Sequence, residues 1–219
     1  PPWAYRNRHA TRRDNPEHKT RFGVGVAQRY LLGVMRTDEI AALPVASVCA
    51  PDAYCFLWAT WPNLPDALRV LAGWGFDYKT VAFVWIKTYA SGRHFFGPGR
   101  YVPSNSEPVL FGVRGRPWHP TTGSKPSQIV QCPHPRGADG KIVHSRKPPQ
   151  VHDAIQQWLS PHVGAHVMLE LFATQKHAGW VTVGHELTGR AMAQDLMDLQ
   201  RIMGIMGQKA GATSDDKRK

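Results

Sequence analysis

Three short stretches carry side chains that could do chemistry: Pro1-Pro2-Trp3, Arg146-Lys147 ahead of Pro148, and Glu186. Consecutive prolines fix φ and remove backbone donors, so a Pro-Pro-aromatic turn holds carbonyls and a neighbouring side chain against one point. Such a device suits methylation of an exocyclic amine. The adenine N6 lone pair is delocalised into the ring and is a poor nucleophile. An acid and a Pro carbonyl accepting its two N–H protons favour tetrahedral nitrogen and restore the lone pair for attack on a sulfonium methyl. The aromatic ring would stack on the flipped base. Taken alone, the triplet also fits a structural turn with a buried Trp.

The other two stretches suit a charged, hydroxyl-rich ligand. Basic residues beside a helix N-terminus, as in "HSRKP" (144–148), form an anion site together with the free backbone N–H groups. A carboxylate at the end of a strand, as at Glu186 in "GWVTVGHE" (179–186), accepts two ribose hydroxyls in fixed geometry. Either is equally a solvated surface residue when read alone.

These residues need elements to position them. "TDEIAAL" (37–43) reads as a short helix ended by Pro44, and "AYCFLWA" (53–59) as a buried strand between prolines. A helix follows at 63–75, capped by Asn63, with the stripe Leu64, Ala67, Leu68 and Leu71 and a stop at Gly73 and Gly75. "TVAFVWIK" (80–87), "EPVLFGV" (107–113) and "SQIVQC" (127–132) read as strands. Pro148-Pro149 start a helix with Val151, Ile155, Trp158 and Leu159 on its apolar face. "HVMLELFA" (166–173) and 179–186 are further strands. A helix at 191–206 carries an apolar stripe of Met192, Leu196, Leu199, Met203 and Met206, which reads as core packing ahead of a dimer face. Residues 6–29 read as a long loop and 209–219 as a disordered polar tail, so residues 1–208 form a single domain. Strands alternating with helical stripes predict an α/β sheet covered on both faces, with ligands beyond the carboxyl ends of its strands.

Composition narrows the partners. Twenty-seven Lys+Arg against sixteen Asp+Glu leave a net charge of +11, the balance expected of a protein that meets a polyanion. The apolar runs, such as "VMLELF" (167–172), are too short to span a bilayer, so no membrane is expected. Cys49, Cys55 and Cys132 are odd in number and lack CxxC spacing, which argues against a zinc set or a disulfide framework and for a reducing, cytoplasmic setting. No metal is expected.

The ordered pieces also carry a resemblance. "PPWAY" (1–5) looks like the tail of the Asp-Pro-Pro-Trp motif of MT-A70-like adenine N6-methyltransferases. It is followed in that family's order by "LPVASV" (43–48), "FLWAT" (56–60), "LPDALRVLAGWGF" (64–76), "TVAFVWIKT" (80–88), "SNSEPVLFGVRG" (104–115), "HSRKP", "LELFA" (169–173) and "GWVTVGHEL" (179–187). The pattern resembles the bacterial and phage-type members more than the eukaryotic enzymes.

The resemblance implies a Rossmann-like class I methyltransferase fold with a mixed, seven-stranded-type sheet, a permuted motif order and S-adenosylmethionine as cofactor. It places Pro1, Pro2 and Trp3 in the adenine pocket. Tyr5, Trp85, Lys87, Ser106, Glu107 and Arg146 would lie toward the substrate, with Ser106 and Glu107 bordering cofactor as well as base. Asn105, Phe172, Thr174, Lys176, His177, His185 and Glu186 would lie toward the cofactor. The basic loops 6–29, 89–103 and 114–147 would clamp nucleic acid through its phosphates. The sequence departs from the family at Thr174, where arginine is common, at His185, where asparagine is usual, and at Leu32, where a tyrosine is common. The motif's Asp would stand immediately before Pro1, at the end of a central strand; without that strand and its acid, the expectation is poor stability and negligible methyl transfer. The activity so implied is methyl transfer to adenine N6, in DNA ahead of RNA. The alternatives are a catalytically silent nucleic-acid-binding subunit, paired as a homodimer or heterodimer, and an RNA adenosine N6-methyltransferase.

Overall fold

The computed structural model describes residues 1–3, 35–97, 101–118, 125–143, 146–159 and 167–215, with side chains as far as residue 204. Tyr5, Leu32 and the loop at 6–29 lie outside the described residues. The chain forms α1 (Thr37–Ala41), a 3-10 turn (Val45–Val48), β1 (Ala53–Trp58), a second 3-10 turn (Trp61–Asn63), α2 (Leu64–Gly73), β2 (Asp77–Thr88) and β3 (Ser106–Arg114). It continues with β4 (Ile129–Pro133), α3 (Pro149–Leu159), β5 (Met168–Leu171), β6 (Trp180–Val183), α4 (His185–Thr188) and α5 (Met192–Asp215).

Four strands form a mixed sheet in the order β1-β3-β2-β4, antiparallel except for the parallel β2–β4 pair, while β5 and β6 form a separate parallel pair. Period-two alternation, switched in β2 by a bulge between Val81 and Phe83, decides what each face buries. On one face Cys55, Leu57, Val81 and Leu110 join α1 and α2 in a core that includes Ile40, Ala67, Val70 and Leu71. On the other, Phe56, Trp58, Phe83, Val109 and Val130 pack against Val151 and Ile155 of α3. The result is the helix–sheet–helix layering that the strand and helix spacing predicts, consistent with a Rossmann-like methyltransferase. Among the described residues no helix is long and apolar enough to cross a membrane.

Three expectations need correction. Asn63 stands at the N-cap of α2 but makes no side-chain cap bond; it is buried, with its amide nitrogen unpartnered among the described residues. The reason is the preceding 3-10 turn, which delivers Asn63 in a non-extended conformation (φ −99°, ψ 12°), away from the geometry a side-chain cap requires. The last helix runs on to Asp215, taking in residues 209–215 that were expected to be tail. Its apolar stripe leaves the core partway: Met192 and Leu196 are buried and Leu199 packs on the core, whereas Met203 is exposed.

Candidate active site

The carboxyl ends of β1, β2 and β5 meet at one place. The penultimate residue of β2, Lys87, is buried, and its Nζ donates to Glu107 Oε1 at 2.6 Å. Glu107, near the start of β3, takes a second ion pair on Oε2 from Lys147, in the loop ahead of α3. Two ammonium groups thus share one carboxylate. Burial alone would raise the Glu107 pKa, but the charges of Lys147 and Lys87, with the hydrogen bonds they donate, hold it at about 2. Each ammonium also lies over an indole: Lys87 Nζ is 5.1 Å from the Trp85 ring centroid and Lys147 Nζ 5.3 Å from that of Trp58. The indoles meet edge to face at 6.3 Å, and Trp85, fully buried, donates its Nε1–H to the Cys132 carbonyl at the end of β4.

A second cluster lies beside the first. Glu170, on β5, receives His152 of α3 (Nε2–Oε1 3.1 Å) and faces His177 of the β5–β6 loop (Nε2–Oε2 3.5 Å). The two imidazoles stack with centroids 4.0 Å apart, and Trp180 meets the His152 ring edge-on. Burial first, and the His152 ring second, hold the His177 pKa below its ordinary value. Glu170, His152 and His177 line a cavity of about 50 Å³ together with Arg146, Lys147, Phe172, Thr174 and Gln175. Arg146 Nε and Glu170 Oε2 are buried there without a hydrogen-bond partner among the described residues. At the cavity edge Phe172 adopts φ 60°, the only non-glycine with positive φ among the described residues.

Pro1 lies between the two clusters. Lys147, Glu107 and Glu170 all lie within electrostatic reach of it. The Trp3 N–H donates to the Pro1 carbonyl and the Met35 N–H to the Pro2 carbonyl, both at 3.0 Å, pinning the turn. The Trp3 side chain is buried in the core beside Ile40 and Leu43.

The remaining expected site residues fall at differing distances from this centre. The Asn105 carbonyl accepts from the Lys87 N–H, and Ser106 Oγ accepts from Trp61 Nε1 at 2.9 Å. Thr174 lines the cavity, whereas Lys176 is exposed and outside its lining. His185 and Glu186 do not end a strand: β6 stops at Val183, and both sit exposed in the first turn of α4, with His185 Nδ1 3.2 Å from the Arg190 carbonyl. The strand is cut short at Gly184, whose backbone packs against Ala173 and starts the helix. Sequence reasoning placed Lys147 in an anion site without its partner Glu107, and missed His152 and Glu170. The signals for the last two were a histidine on the same helical face as Ile155 and Leu159, and a lone acid inside the apolar run "VMLELF".

The MT-A70 family model matches residues 1–186. The chain belongs to the MT-A70 family. It is similar to the Type II methyltransferase M.MunI of Mycoplasma sp, 31% identical over 192 residues, covering 85% of this chain and 75% of that protein. It is also 28% identical over 172 residues to a probable N(6)-adenosine-methyltransferase MT-A70-like of Oryza sativa subsp. japonica, and likewise to an N(6)-adenosine-methyltransferase MT-A70-like of Arabidopsis thaliana. These matches cover 72% of this chain but 21% of each plant protein.

Proposed function

We propose that this MT-A70 member transfers the methyl group of S-adenosylmethionine to N6 of adenine in nucleic acid, with DNA preferred over RNA. The observation that carries the reading is the position of Pro1 between the Lys87–Glu107–Lys147 bridge and the Glu170 cavity. A methyl donor and an acceptor amine must be brought together at one point, and here the Pro-Pro turn adjoins both the ion bridge and the cavity. The residues present fit the cofactor's amino-acid end. Arg146 and Lys147 would take its carboxylate and Glu170 its ammonium; the buried and unpartnered Arg146 Nε and Glu170 Oε2 suit such a charged ligand. His185 and Glu186, just past β6, would take the ribose hydroxyls. The cofactor supplies an electrophilic methyl on sulfonium. Lys87 and Lys147 hold Glu107 ionised and fixed beside the turn, and the rings of Trp85 and Trp58 lie against the two ammonium groups.

The test is mass-spectrometric detection of N6-methyladenine on DNA and RNA oligonucleotides. It is run with the chain as given and with an Asp joined ahead of Pro1, alongside calorimetry with the cofactor. N6-methyladenine in DNA from the Asp-bearing form is the expected result. Cofactor binding with no product in either form would favour a silent binding subunit, and absence of both would end the methyl-transfer reading.

A further inference from the structure

The His152–Glu170–His177 cluster has a geometry that cofactor binding does not require. Two imidazole Nε2 atoms and a carboxylate converge so that one ligand atom from each lies within 4.8 Å of the others. A tetrahedral Zn²⁺ with arms of about 2.0–2.1 Å has ligand atoms about 3.3–3.4 Å apart. The His152 Nε2–Glu170 Oε1 and His177 Nε2–Glu170 Oε2 contacts, 3.1 and 3.5 Å, are each close to that edge, one at each carboxylate oxygen. All three side chains are largely buried, with relative exposures of 10, 23 and 15%, so the cluster is not a scatter of surface acids. Glu170 Oε2 makes no hydrogen bond among the described residues, and a buried carboxylate oxygen left so is costly unless a cation meets it.

We propose that His152, Glu170 and His177 form a divalent transition-metal site of the His₂–carboxylate type, which takes Zn²⁺. The imidazoles stack 13° from parallel, so they must splay for both Nε2 lone pairs to meet one ion beside the carboxylate. Two nitrogens and a carboxylate suit Zn²⁺ or Co²⁺ and not Mg²⁺, which prefers an all-oxygen octahedron. Three protein ligands leave a fourth position open. Arg146 lines the same cavity, so that position takes water or an anion such as chloride. The ion has a consequence that rests on the proposed function: it occupies Glu170 and closes the cavity to the cofactor's ammonium, so Zn²⁺ and S-adenosylmethionine antagonise each other.

Calorimetry with Zn²⁺ alone tests the site, and the d–d absorption of Co²⁺ tests its coordination. One equivalent of Zn²⁺ should bind, with tetrahedral Co²⁺ bands, and affinity should fall at least about tenfold in each of His152→Gln, His177→Gln and Glu170→Gln. Mg²⁺ should produce no heat. Each variant is first checked for a wild-type near-ultraviolet circular dichroism spectrum. Should Glu170→Gln prove misfolded, the two histidine variants decide. Zn²⁺ binding that is unchanged in these variants, as other histidines of the chain would give, overturns the site. Saturating Zn²⁺ should weaken cofactor binding at least about tenfold, and an unchanged cofactor affinity overturns the antagonism. Zn²⁺ binding in a protein that takes no cofactor would sink the methyl-transfer reading and leave the metal site standing.

Discussion

Glu107 is the residue on which the site's electrostatics turn. Its carboxylate serves two ammonium groups at about one-tenth exposure, so replacing it by Gln leaves two largely buried cations sharing a neutral amide. Breaking a buried ion pair by removing one partner costs about 3–5 kcal/mol, and that loss is expected for Glu107→Gln in chemical denaturation at pH 7. The pH dependence has a definite sign. The folded pKa, at about 2, lies below the ordinary 4.5, so the carboxylate's contribution is complete above about 4.5 and is lost as pH falls through about 2. The gap between wild type and Glu107→Gln should therefore stay constant from pH 8 to 5 and narrow below that. A gap that instead narrows between pH 8 and 6 would mean the histidines, not Glu107, set it. At this scale the sequence was informative about residue types but not about partners. Arg146 and Lys147 are adjacent and chemically alike; only the backbone path ahead of Pro148 decides which reaches Glu107. Glu170 was hidden because a strand with an apolar run tolerates one inward acid only when another element supplies its partner, here α3.

Elements were legible wherever a run of apolar residues had a clear period, as in α2, β2 and β3, and less so where backbone packing sets the end. The junction of β6 and α4 is such a place. A Cβ on Gly184 would lie 2.3 Å from the Ala173 carbonyl oxygen and 2.6 Å from its nitrogen, and backbone atoms cannot swing aside as a flexible side chain can. Gly184→Ala must therefore part the ends of β5 and β6, where the Ala173 N–H bonds the Val183 carbonyl, at a cost of about 1–3 kcal/mol. Because Phe172 and Thr174 flank Ala173 on the cavity wall, cofactor affinity by calorimetry should fall along with the melting temperature. Gly204 is the contrasting case: it is exposed in α5, and a methyl group there would have nothing within 4 Å, so Gly204→Ala should gain about 0.5–1 kcal/mol through helix propensity. Equal effects at the two glycines would show that the contact at Ala173 is not what requires Gly184.

On the scale of the whole molecule, a charge of +11 says that a polyanion is attracted but not to which side. Sheet direction supplies the side. The loops after β2 and β4 emerge at the carboxyl ends of those parallel strands, the end at which Lys87 and Glu107 lie, and they carry the exposed Arg93, Arg136 and Lys141. The same end carries Phe96, 66% exposed, an aromatic face available to an unstacked base. Arg116, just after the antiparallel β3, and Lys125, just before β4, are exposed at the opposite end. No reading of the basic loop 114–147 as one stretch could have divided it in this way, because the division follows strand direction and not composition. Each phosphate neutralised on a duplex contributes about −0.9 to the slope of log K against log salt. If Arg93, Arg136 and Lys141 grip the duplex, changing all three to Ala should make that slope shallower by about 2.7, measured by fluorescence anisotropy between about 50 and 200 mM salt. The Arg116→Ala, Lys125→Ala pair should leave the slope within about 0.5 of wild type, since loops at the far end meet no phosphate. An equal loss from both sets would mean that the charge attracts nucleic acid from every side and that the sheet's carboxyl end has no privileged role in holding it.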